Sequence, residues 1–202
     1  IEARASDGYV SQISIALLAK SSAGGAVAWI AVEDPDKPWP NLPGQTVSAG
    51  PFYLVWENPE RSAISDGQWP FSVVALSGVE DPLKRWPQMA VDRSIAADSP
   101  ERRGQDVFAK NCMSCHRIEG AGQGEMGPDL GQPMNVTEYI TTRGIRAIIR
   151  DPKAVRTWPR QQMEAFDEAT ISNGDVDAVI AYLAYMGKRK SAREATPSKP
   201  AP

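Results

Sequence analysis

Cys112-Met113-Ser114-Cys115-His116 gathers both cysteines and the one histidine of a 202-residue chain into five consecutive positions. Two thiols at this spacing can each form a thioether to a vinyl group on one porphyrin edge. The adjoining imidazole is then held beneath the iron as an axial ligand. Other uses of Cys-x-x-Cys leave residues without a task. A thioredoxin-like pair needs a βαβ setting and no histidine. A structural zinc site needs about four ligands, and outside these five positions the chain offers no Cys or His. A disulfide across so short a span leaves His116 idle. The motif therefore predicts one covalently attached haem c, with Cys112 and Cys115 as anchors and His116 on the iron.

The flanks supply elements to hold such a group. Ser99-Pro100-Glu101 predicts a helix start, with Ser99 as N-cap, Pro100 at the first helical position and Glu101 complementing the helix dipole. Val107 and Phe108 bring apolar contacts about a turn before the cysteines. Downstream, the Gly-rich stretch from Glu119 leads into Gly127-Pro128-Asp129-Leu130, a sharp turn. Thr137 is the expected N-cap of a helix running to about Arg150, with Ile140, Gly144, Ala147 and Ile148 inward and Pro152 beyond its end. A last helix is expected from Ser172 or Asn173 to Gly187, with Asp175 and Asp177 in its first turn. Val176, Val179, Ile180, Leu183 and Met186 mark its buried face.

Taken together, residues from about 99 to 187 resemble a class I cytochrome c domain: a Gly…Phe helix into Cys-x-x-Cys-His, then Gly-Pro-x-Leu, a later Met and a terminal amphipathic helix. The resemblance implies an all-α fold and one-electron transfer. It also implies that Pro128 packs on the axial histidine and orients it through its carbonyl. The second axial ligand cannot be a histidine. Met113 lies inside the motif, Met89 precedes the domain, and Met186 reads as core, which leaves Met126, Met134 and Met163. Met163 follows a full helix, enough chain to reach the opposite face of the haem, and sits where the family places its ligand, with Glu164 in place of a common Pro. Met126, Met134 and an open sixth position stay as alternatives. Trp158, with Arg156 beside it, is a candidate donor to a haem propionate, against a reading as ordinary packing.

Residues 1–95 read as a separate β-rich, mixed α+β domain, followed by the cytochrome domain at 96–187 and a flexible Lys-, Ala-, Ser- and Pro-rich tail at 188–202. β-Prone runs occur at 13–18, 27–32, 52–56 and 71–76, with helical periodicity also present near 10–20. Ser6-Asp7-Gly8-Tyr9, the run from Trp29 to Asp34 and Gly50-Pro51-Phe52-Tyr53-Leu54-Val55-Trp56 resemble part of a sulfite-oxidase-like molybdopterin-binding fold. Its active members bind the metal through a cysteine that this region lacks, which points to partner binding without the cofactor. Five of the six tryptophans lie here and are expected to pack the core.

Residues 1–98 carry seven Lys or Arg against twelve Asp or Glu, and residues 99–202 carry fifteen against thirteen. That balance does not suggest nucleic-acid binding. Arg143, Arg146, Arg150 and Lys153 recur at helical spacing, either as a solvated face or as a stripe that steers an acidic redox partner. No apolar run reaches the roughly 18 residues that cross a bilayer. The expected function is that of an exported, periplasmic electron carrier, not itself an enzyme, passing single electrons between redox proteins through His/Met-ligated haem. The alternatives are a haem subunit of an oxidoreductase docked through the N-terminal region, and a haem enzyme or sensor with an open iron site.

Overall fold

Short extended runs broken by proline and glycine make up the first third of the chain, and capped helices make up most of the rest. A computed structural model describes residues 1–43, 46–158 and 161–195. Strands β1 (Glu2–Ala5), β2 (Val10–Gln12) and β5 (Val73–Ser77) form an antiparallel sheet in the order β2-β1-β5, with a bulge at Arg4/Ala5. Strands β3 (Val27–Val32) and β4 (Phe52–Glu57) form a two-stranded antiparallel sheet, registered from Val27 opposite Glu57 to Val32 opposite Phe52.

The run at 13–18 folds as helix α1 (Ile15–Ala19), started by Ser14, whose side chain accepts from the Leu17 amide. Strands β1 and β2 have no counterpart among the sequence-predicted runs. A small core of Ile13, Ala26, Leu54 and Trp56 lies between these pieces. Trp56 donates its indole N–H to the Gln68 carbonyl at 2.7 Å, as a buried tryptophan must. Trp29, expected to pack inward, is 58% exposed.

The second core is larger. Short helix α2 (Pro82–Arg85) precedes α3 (Pro100–Val107), whose last turn widens over Phe108–Cys112 and delivers the cysteine motif. Ser99 caps α3 as predicted, accepting from the Arg102 amide. Helix α7 (Asn173–Ala195) crosses α3, with Phe108 against Tyr182 at 5.6 Å between ring centroids. Met89 and Val91, ahead of α3, are buried in this same core.

Two helical expectations are corrected. The helix predicted from Thr137 is two pieces, α4 (Val136–Tyr139) and α5 (Thr142–Arg150), followed by α6 (Pro152–Val155). Asn135 and Glu138 form a capping box on α4, the backbone turns extended at Ile140, and Thr141 caps a new helix through the Gly144 amide. Restarting the helix changes its phase, so Ile145, rather than Ile140 or Ile148, is its buried residue. Helix α7 also runs past Gly187 to Ala195. Gly187 is not a stop here but a close approach, since a Cβ would lie 2.9 Å from the Asn135 side chain. Beyond it, Arg189 donates to the Ala90 carbonyl at 2.5 Å, and Lys190 donates to the carbonyls of Gly131 and Pro133. These bonds dock the first residues of the expected tail; 196–202 lie outside the described residues.

Ser172 starts α7, exchanging hydrogen bonds with Asp175 in both directions, and Asp175 pairs with Arg103 of α3 at 2.8 Å. The Ser172 hydroxyl, more than Arg103, holds the Asp175 carboxyl below its ordinary range. A depressed carboxylate contributes stability above its unfolded pKa and loses it as pH falls through the folded value. Asp175→Asn is therefore expected to cost about 1 kcal/mol at pH 7. The gap should begin to close below about pH 3.9 and vanish once Asp175 is protonated in the folded protein. Urea unfolding of both proteins across that range checks it; a gap constant to pH 2 would remove the carboxylate from the account.

Candidate haem-attachment site

The cysteine motif leaves α3 as a tight turn, with the Cys115 and His116 amides both donating to the Cys112 carbonyl, at 3.1 and 2.9 Å. Met113 and Ser114 are buried. Both cysteines are free thiols. Burial, with Cys115 alongside, pushes the Cys112 thiol up to about 12. Burial, Asp7 and Glu164 push Cys115 up to about 11. Both sulfurs are thus protonated at neutral pH, the reverse of a dithiol tuned for redox exchange, whose reactive cysteine is pushed down.

His116 is fixed from the other side of the loop. Its Nδ1 lies 2.8 Å from the Pro128 carbonyl, which as an acceptor selects the Nδ1–H tautomer and leaves Nε2 for a metal. Burial lowers the imidazole's proton affinity, opposed by the Pro128 carbonyl and Asp129. Gly127 lies flat against the ring: a Cβ there would stand 2.4 Å from Cε1 and 2.6 Å from Nδ1. The Gly127 amide donates to the Cys115 carbonyl at 2.9 Å, locking the two strands of the loop.

Asp129 holds this turn. Its carboxylate accepts from three backbone amides, those of Glu119, Gly120 and Gly131, at 3.0, 2.7 and 2.8 Å. The sequence marked Gly127-Pro128-Asp129-Leu130 as a turn without identifying these two roles. Spacing of Gly and Asp around a proline was the available signal; what they face could be known only from the fold.

The methionines separate by position. Met126 Sδ lies 3.9 Å from Cys115 Sγ, on the segment that carries Gly127 against the imidazole. Met134 is 45% exposed, just before Asn135. Met163 is half-buried, in the irregular segment after α6. That segment is stitched to α5, with the Phe166 amide donating to the Ile149 carbonyl at 3.0 Å. Arg150 donates to the carbonyls of Phe166 and Asp167, both at 2.8 Å, and to Asn173 at 2.9 Å. Arg146 pairs with Asp177. Two members of the basic stripe thus tie α5 to α7 and to the Met163 segment. Trp158 is 64% exposed, with the Arg156 guanidinium 5.1 Å from its ring centroid.

The donor set fits a c-type haem: two thiols not joined in a disulfide, and an imidazole held by one nitrogen with the other left for iron. Arg117, next in sequence, has its Nε buried without a hydrogen-bond partner, a donor suited to an anionic propionate. Residues 101–187 match the family model described as Cytochrome c. That stretch is a c-type cytochrome domain. No match to the chain was found among curated proteins or solved structures. The matched stretch runs from the start of α3 through the cysteine turn and α4 to α6 into α7 as far as Gly187. Among the described residues, no helix is long and apolar enough to cross a membrane.

Proposed function

We propose that this chain is an exported monohaem electron carrier that passes single electrons between periplasmic redox proteins. The observation that carries the reading is the His116 imidazole, held between the Pro128 carbonyl and the face of Gly127 beside two thiols that form no disulfide. Cys112 and Cys115 would anchor the haem, and His116 Nε2 and Met163 would hold its iron. Met126 is a poorer candidate because it accompanies Gly127 and Cys115 on the imidazole side of the loop. Bound haem supplies the ferric/ferrous couple, and a thioether opposite an imidazole favours the ferrous state.

The surrounding hydrogen bonds would hold the ligating residues in place in either oxidation state. Pro128 keeps the imidazole tautomer, Asp129 keeps Pro128 in place, and Arg150 with the Phe166–Ile149 bond fixes the far end of the Met163 segment. Arg117 and Trp158 are offered as propionate donors. Little has to move when one electron arrives or leaves, which is what a carrier requires.

The visible spectrum of wild type and Met163→Ala, in both redox states, tests this. Wild type should be low-spin with a methionine–iron charge-transfer band, and the variant should lose that band and bind carbon monoxide rapidly when reduced. A variant with the wild-type spectrum would overturn the ligand, and a high-spin wild type would overturn the carrier.

A second reading, as the haem subunit of an oxidoreductase docked through the N-terminal region, is favoured by the apolar residues that region exposes. Trp29 and Val32 of β3 and Val74 and Leu76 of β5 are each more than half exposed, apolar side chains that a docked subunit would cover. Copurification with a catalytic subunit would favour this reading over a free carrier.

A further inference from the structure

Both small sheets of the N-terminal region are pinned to one short turn, Asp66–Gln68. The Ser65 amide and hydroxyl donate to Gln68 Oε1 at 3.0 and 3.1 Å, and both residues are buried. The Gly67 carbonyl accepts from Tyr9 and from Ser11 of β2, at 2.9 and 2.7 Å. The Gln68 carbonyl accepts from the Trp56 indole of β4 at 2.7 Å. A turn held from so many sides moves only with the sheets around it.

This turn meets two stretches of the cytochrome domain that lie far apart in sequence. One is the widened end of α3 that leads to Cys112: Lys110 donates to the Ala63 carbonyl at 2.8 Å, and a Cβ on Gly67 would stand 3.1 Å from the Lys110 carbonyl. The other is the segment that carries Met163, where the Thr170 hydroxyl donates to Asp66 Oδ2 at 3.2 Å. Thr170 closes a turn built by Asp167, whose carboxylate accepts the Thr170 amide at 2.8 Å and whose carbonyl accepts the Ile171 amide at 3.0 Å. Arg150 ties the same turn to α5 through the Asp167 carbonyl. Asp66 therefore adds a hold on this segment from outside the cytochrome domain.

We propose that Asp66 is a positioning residue for Met163: the Asp66–Gln68 turn is a strut between the end of α3 that delivers the cysteines and the Met163 segment, and its bond to Thr170 restrains that segment against release of the thioether. The N-terminal region then has a part in the haem site without supplying a ligand. This rests on Met163 as the second axial ligand, as proposed above. An added ligand can take the sixth position only after Met163 has left it. Its apparent affinity therefore reports the fraction of protein with Met163 released.

The test titrates the full-length, haem-loaded ferric protein with imidazole. Thr170→Val removes the donor hydroxyl and should raise the imidazole affinity about threefold, the effect of one lost hydrogen bond, with Asp66→Ala doing the same. Lys110→Met frees the opposite end of the strut. It should raise the affinity less, about twofold, since Arg4 still donates to Gln123 beyond the motif at 2.7 Å. Lys110 reaches Met163 through Asp66, so adding Lys110→Met to Thr170→Val should change nothing further. Should Asp66→Ala yield too little holoprotein, Thr170→Val carries the same readout. Unchanged affinity in Thr170→Val, unchanged affinity in Lys110→Met, or a full Lys110 effect in the Thr170→Val background would overturn the proposal. A wild-type spectrum without the methionine–iron band would overturn the ligand assignment instead. Amide hydrogen exchange at Ile171 would then decide the strut: it should rise in Lys110→Met and in Thr170→Val, and no further in the double variant.

Discussion

Gly104→Ala is expected to lower the melting temperature by about 4–12 °C. Gly104 is the contact point where α3 crosses α7. A Cβ there would stand 2.0 Å from the Ala178 carbonyl oxygen and 2.7 Å from the Tyr182 Cβ. The obstacle is backbone, so no rotamer change relieves it and the helices must part. Overpacking of a tight core costs about 1–3 kcal/mol, and a rigid carbonyl places this case at about 3. Alanine's better helix propensity returns no more than about 1 kcal/mol. The separation also disturbs Phe108 and Tyr182, the pair that supports the start of the cysteine turn. Calorimetry of the holoprotein checks it. Gly78→Ala, where the added methyl meets nothing within 4 Å, is the control. A change below about 2 °C at position 104 would mean that the crossing is looser than its geometry.

Chemistry confined to a few neighbouring residues was legible in the sequence; chemistry assembled across the fold was not. Cys112 to His116 specify their cofactor because spacing along the chain is what the haem's vinyl groups measure. Ser99 was legible as a cap because it bonds an amide three residues away. Strand β3 was read to its boundaries, since six apolar residues lie between Gly24-Gly25-Ala26 and Glu33-Asp34. The break between α4 and α5 was missed because Asn135 and Thr141 are both good caps, and sequence alone does not say that both are used. Helix α7 was cut short because glycine is a common helix stop, whereas Gly187 serves the approach of Asn135.

Gly127→Ala is expected to disrupt iron coordination while leaving the haem attached. The thioethers depend on Cys112 and Cys115, which the substitution does not touch. The imidazole depends on a flat neighbour. With a Cβ at 2.4 Å from Cε1, 2.6 Å from Nδ1 and 3.0 Å from Nε2, the ring and the methyl group cannot share the space. Ordinary carbon contacts are about 3.5–4.0 Å, so the ring or the backbone must shift by an ångström or more. A preorganised site tolerates about 0.5 Å. Either shift also breaks the bond between Nδ1 and the Pro128 carbonyl or the amide bond from Gly127 to Cys115. The variant should therefore retain covalently bound haem after acid extraction, yet show a largely high-spin spectrum and rapid carbon monoxide binding when reduced. If Met163 is the second ligand as proposed, Met163→Ala should leave His116 in place, so the two variants should differ in which of the two proposed ligands they weaken. A Gly127→Ala protein with a wild-type low-spin spectrum would show that His116 is not seated against Gly127 in the holoprotein.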